Sequence, residues 1–81
     1  MTEQEAKQII QHEDLRRINW YEPNNLHENE VGIAKIQSGY IIYITDERAS
    51  VITGSEFKFQ NSSDAYRALI KKARYLQKLF G

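Results

Sequence analysis

The stretch "EVGIAKIQSGYIIYIT", residues 30–45, constrains the fold more than any other part of the chain. Apolar β-branched and aromatic side chains alternate on both sides of Ser38-Gly39, and glycine tolerates the positive φ that tight reversals need. Two paired strands follow. With Ser38-Gly39 as a two-residue loop, Ile33 faces Ile44 and Lys35 faces Ile42. A second reversal at Glu47-Arg48 sets Asp46 opposite Ala49 and Ile44 opposite Val51. This register gathers Val31, Ile33, Ile42, Ile44 and Val51 on one face, the expected core side. Gly32, Ala34, Ile36, Ile41, Tyr43, Thr45, Ser50 and Ile52 fall on the other. Gly54 breaks or bulges the third strand before "EFKF", which places Phe57 and Phe59 on the same side.

The flanking segments change period. Thr2 with Glu5 three residues later is a capping-box pattern, and Ala6, Ile9 and Ile10 recur at helical spacing, predicting a helix over 3–12. At the other end, "QNSSDAYRALIKKARYLQKLFG" offers Asn61 or Ser62 as a cap and Asp64 in the first turn. Its stripe of Ala65, Leu69, Ala73, Leu76 and Phe80, widened by Tyr66 and Ile70, predicts a long amphipathic helix. The order is α-β-β-β-α. The expected fold is therefore α+β, a three-stranded antiparallel sheet with two helices packed on one face. An 81-residue chain makes it a single domain, 1–81. Residues 12–30, with Leu15, Ile18 and Trp20 as anchors and "EPNN" as punctuation, read as a long connection.

Function is bounded first by exclusions. The chain has no cysteine, so it holds neither a disulfide nor a thiolate metal site, which suits a reducing cytoplasm. No apolar run approaches the roughly 20 residues of a membrane span, so no membrane partner is expected. His12 and His27 have no cysteine nearby, no Ser or Thr sits in a nucleophile setting such as G-x-S-x-G, no Gly-rich phosphate loop is present, and catalysis is not expected. A metal site built from His27, Glu28 and Glu30 is conceivable but less economical than three solvated side chains. No cofactor is expected.

The net charge is zero but unevenly spread. Residues 1–30 hold seven carboxylates against three cations, net −4, and residues 61–81 hold five cations against one carboxylate, net +4. Arg67, Lys71, Arg74 and Lys78 form one helical stripe. The order α-β-β-β-α is also that of double-stranded RNA-binding domains, which grip phosphates from the start of their last helix. Here that turn carries Asp64, the cations come later, and zero net charge supplies no long-range attraction to phosphate. Nucleic-acid binding is the alternative reading. Partner binding is the favoured one. The open sheet face would carry Ile36, Ile41, Tyr43 and Ile52, a patch for a protein partner or for a homodimer.

Gly32, Ile33 and Lys35, then Tyr40, Tyr43, Thr45, Asp46, Glu47, Arg48 and Ala49, form a G-I-x-K … Y-x-x-Y-x-T-D-E-R-A pattern. With Trp20 upstream, it resembles a group of small bacterial immunity proteins from polymorphic toxin systems. The resemblance implies a non-enzymatic cytoplasmic protein that binds a cognate toxin and neutralises it. The candidate toxin-binding residues are Trp20, Tyr21, Glu22, Glu28, Glu30, Tyr43, Asp46, Glu47 and Arg48. They divide on chemistry. A lone Trp beside Ile18 is more often a core anchor than a contact. Glu47-Arg48 suits a tight turn poorly, so a wider loop is expected, with the Asp46 carboxylate accepting backbone N–H groups. Asp46 is then structural, and Glu47 and Arg48 are the contact candidates.

Overall fold

The computed structural model describes residues 1–81, with elements in the order α1 (Glu3–His12), β1 (Ile18–Trp20), β2 (Val31–Ile36), β3 (Gly39–Ile44), β4 (Phe57–Phe59) and α2 (Ser62–Phe80). The class is α+β, as expected. The sheet is not: it has four strands in the order β1-β2-β3-β4 and is mixed, because β1 pairs parallel with β2. Neither helix is long and apolar enough to cross a membrane.

The helix boundaries follow from their caps. Thr2 and Glu5 form the reciprocal capping box that starts α1, and the Asn61 side chain accepts from the Asp64 N–H to start α2. The two helices lie side by side in the same direction. The Met1 ammonium donates to Ser63 Oγ at one end, and Arg74 forks onto Glu13 at the other, at 2.8 and 2.5 Å. One core results, joining Ala6 and Leu15 to Val31, Ile33 and Ile42 of the sheet and to Ala65, Tyr66, Leu69, Ile70, Ala73 and Leu76 of α2.

The central hairpin is shifted by two residues from its expected register. Ile33 pairs with Ile42 and Val31 with Ile44, so the loop is Gln37-Ser38 and Gly39 belongs to β3. A shift of two preserves side-chain facing, so the choice of core face survives for Val31, Ile33 and Ile42. Gly39 is needed for a different reason than a tight turn. Its φ is +148°, and a Cβ there would run into the Phe59 carbonyl of β4. The glycine lets the edge strand close up on the turn.

The third strand is interrupted, as Gly54 predicts, though farther from the expected pairing. Val51 bridges Thr45 rather than Ile44, which puts it on the Thr45 side and leaves it 38% exposed. The pairing resumes only at Phe57 with Ile42. Between these points Ser55 stands in for a strand backbone. Its hydroxyl accepts from the Ile44 N–H at 3.1 Å and donates to the Ile52 carbonyl at 2.7 Å.

Candidate functional site

The sheet face away from the helices is not the open apolar surface expected from the strand pattern. Tyr43 lies across from Gly32, its ring occupying the space that any Cβ at Gly32 would need, and both residues are buried. Ala34 and Thr45 are buried as well, while Ile36 and Ile41 are half-covered and Ile52 is exposed. The reason is β1, missed in the sequence. A parallel strand must be reached by a chain that returns to the sheet's starting end. Residues 21–30 make that return, and their bonds to Asn19, whose side chain points away from the core-facing Ile18 and Trp20, hold them on the polar side.

Three buried polar side chains hold this return. Asn19 Oδ1 accepts from the Glu22 N–H at 2.9 Å, and its Nδ2 donates to the Asn25 carbonyl and to Glu30 Oε1, both at 3.0 Å. Glu30 Oε1 also accepts from the His27 N–H at 3.0 Å. Thr45 Oγ1 accepts from the Glu30 N–H at 3.0 Å and donates to the His27 carbonyl at 2.7 Å. Buried polar groups are tolerable only when paired like this, and their pairing fixes the loop in one shape.

The neighbouring loop is braced on the first. Asn29, at φ +49°, donates its N–H to the Asp46 carbonyl at 3.0 Å. Asp46 Oδ1 accepts from the N–H groups of Arg48 and Ser50 at 2.8 and 3.0 Å, the role expected for it in a loop wider than two residues. Ala49 completes the turn at φ +61°, with its N–H on the Asp46 carbonyl. Arg17 ties the return loop to the end of α2, reaching the Asn29 carbonyl at 3.5 Å and the Phe80 carbonyl at 3.2 Å.

The candidate contact residues therefore separate. Glu22, Glu28, Glu47 and Arg48 are exposed and project from these braced loops. Glu30 and Tyr43, expected as contacts, are interior: they are 6% and 5% exposed. Burial pushes the Tyr43 phenol up from its ordinary value, and the nearby Glu30 charge adds to the effect. Trp20 and Tyr21 lie on the helix side instead. The Trp20 ring stacks on Tyr66 with centroids 5.4 Å apart and meets Tyr21 edge-on at 5.3 Å. The Tyr21 and Tyr66 hydroxyls are 2.9 Å apart, and burial first, then this bond, drives the Tyr21 phenol far above the usual tyrosine range. Both aromatic residues belong to the packing between sheet and helices. As for a metal, Glu30 is already committed to Asn19 and the His27 backbone, and no three His, Asp or Glu side chains converge. No family model, curated protein or solved structure matches the chain.

The loop end carries a pH signature. Two backbone N–H groups, from Ser50 and then Arg48, hold the Asp46 carboxyl below its ordinary value of 3.8. The Arg74 fork does the same to Glu13, whose ordinary value is 4.5, and Arg16 to Asp14. A carboxylate with a depressed folded value contributes stability that is full above its ordinary value and lost as pH falls through the folded one. The melting temperature should therefore hold down to about pH 4.5 and then fall with acidification. Asp46→Asn, which keeps the Oδ1 acceptor but cannot titrate, should reduce that fall. A thermal melt series from pH 6 to pH 2 checks both, and an Asp46→Asn profile parallel to wild type would show that the turn is not held by this carboxylate.

Proposed function

We propose that the chain is an immunity protein that binds one cognate toxin domain and neutralises it inside the producing cell, without a catalytic step of its own. The observation that carries this reading is the braced loop end. Asn19, Glu30, Thr45 and Asp46 hold two loops, joined by the Asn29 N–H on the Asp46 carbonyl, on which Glu22, Glu28, Glu47 and Arg48 are exposed. A binding surface held rigid before the encounter avoids the ordering cost that flexible loops incur on association. Its exposed carboxylates outnumber its cation by three to one, which suits a toxin cleft lined with basic groups and speeds encounter. Glu47 and Arg48, the middle of the T-D-E-R-A segment on which the resemblance to toxin-system immunity proteins rests, belong to this surface.

The nucleic-acid alternative loses ground on one contact. Arg74, the third member of the basic stripe, spends its guanidinium on Glu13 and is withdrawn from phosphate binding.

The direct test is co-elution with the toxin domain encoded beside this chain. Arg48→Ala and Glu47→Ala should each weaken the complex by about 2–5 kcal/mol where the charge is desolvated against a toxin group. Lys35→Ala, at the opposite end of the hairpin from the braced loops, should leave affinity unchanged. A complex indifferent to both loop substitutions would place the interface elsewhere, and failure to form any complex would dismiss the reading.

A further inference from the structure

A second surface differs in character from the braced loops. Because β4 spans only three residues and pairs no farther along β3 than Ile42, the next core-facing residue of β3, Ile44, is flanked by Val31 of β2 on one side but by no β4 residue on the other. Two adjoining pockets that share Lys71 and Lys72 open there between the sheet edge and α2 and together make a groove, with Phe57 and Phe59 lining one part and Ile44 and Tyr75 the other. Its apolar walls stand in water: Phe57 is 50% and Tyr75 61% exposed. Large aromatic side chains left this open at an edge are the ordinary material of binding sites.

The charge around the groove has one sign. The Lys and Arg ion pairs of the molecule are Lys7–Glu3, Arg16–Asp14 and Arg74–Glu13, so neither Lys71 nor Lys72 is matched by a carboxylate. Lys72 instead holds its ammonium 5.3 Å from the centre of the Phe57 ring. Apolar walls with an unneutralised cationic rim complement a segment that carries apolar anchors beside carboxylates. We propose that this groove docks an acidic, apolar-anchored segment of a protein partner. The inference stands apart from the partner's identity and holds whether or not that partner is a toxin.

A single-stranded nucleic acid is the competing polyanion, and two contacts disfavour it. Lys72 already lies over Phe57, which leaves Tyr75 as the exposed ring, whereas single-strand sites stack successive bases on several aromatic side chains. The neighbouring basic stripe is broken at Arg74, and the chain has no net positive charge.

The test is a titration of the full chain, labelled with ¹⁵N, against a short synthetic peptide alternating leucine and glutamate. The amides of Ile44, Phe57, Lys72 and Tyr75 should shift in a saturable way, while those of the braced loops should not. The double variant Lys71→Glu/Lys72→Glu should bind at least about tenfold more weakly, a change of 1.4 kcal/mol. Tyr75→Ser, at an exposed position that should not disturb folding, provides a second check through loss of an apolar wall. Four results would overturn the proposal: no shift at these amides with peptide at about 1 mM, an equal response to the leucine–lysine analogue, tighter binding of oligothymidylate, or shifts produced by raising protein concentration alone, which would assign the groove to a second copy. None of these outcomes bears on toxin rescue, so the two proposals fail separately.

Discussion

Trp20→Ala is expected to destabilise the protein by about 3 kcal/mol, at the lower end of the range for truncating a large aromatic side chain in a core. The ring is stacked on Tyr66 and edge-on to Tyr21, and Tyr66 is itself buried between α2 and the sheet. Removing the indole opens a void against Tyr66 and strips one wall from the apolar cleft it lines with Ile10, Leu15 and Ile18. It also removes the ring beneath the Lys7 ammonium, 5.4 Å away. Trp20 is half-buried rather than sealed, which keeps the figure from the upper end. An 81-residue domain has a total stability of only about 4–12 kcal/mol, so the loss is a large share. Trp20→Phe, which keeps a stacking ring, should recover more than half. Urea unfolding followed by far-ultraviolet circular dichroism measures this in a chain that has lost its single tryptophan. A variant as stable as wild type would move Trp20 from the packing to the surface and reopen its candidacy as a contact.

Glu30→Ala should cost nearly as much, about 2–4 kcal/mol, by a different route. Its Oε1 accepts from Asn19 Nδ2 and from the His27 N–H, and an unsatisfied buried donor costs about 1–3 kcal/mol. Asn19 keeps its bond to the Asn25 carbonyl, so the two losses are not full ones. The local consequence is larger than the global one. With its central acceptor gone, the return loop over residues 21–30 should open far below the threshold for global unfolding. Hydrogen exchange at the amides of Glu22, His27 and Asn29 should accelerate, while exchange in α2 changes only with overall stability. Glu30→Gln retains an acceptor oxygen and should fall between wild type and alanine. Uniform acceleration across the molecule would mean that the loop and the core are a single cooperative unit.

These two residues also mark where the sequence could and could not be read. Elements with local causes were legible. The α1 capping box, the Asn61 cap, the apolar stripe of α2 and the Asp46 turn each depend on residues within four positions of one another. The hairpin's facing was legible because period-two alternation is insensitive to a slip of two, although the turn itself was misplaced onto Gly39. Nonlocal causes were hidden. β1 is three residues long, and only the alternation in "INW" signals it. Its polar middle residue, Asn19, together with Glu30 and Thr45, reads as solvated when taken alone. They are buried because Glu30 joins them, bonding to Asn19 across 11 positions of chain and to Thr45 across 15, a pairing that exists only once the parallel strand has formed. The same omission left the far sheet face bare in expectation and made Glu30 and Tyr43 look available for contact. The groove beside β4 was hidden for a related reason, since Ser55 replaces strand backbone with a side-chain hydroxyl.

A return loop held by buried Asn19, Glu30 and Thr45, and a turn held by Asp46, leave Glu22, Glu28, Glu47 and Arg48 exposed, and the proposed role in toxin neutralisation rests on that surface. The decisive measurement is growth of cells that express the toxin domain encoded beside this chain, with and without the chain itself. Growth should be restored by the wild-type chain, and lost again with the folded Glu47→Ala/Arg48→Ala variant, whose thermal melt should match wild type. Toxicity undiminished by the folded wild-type chain would contradict it.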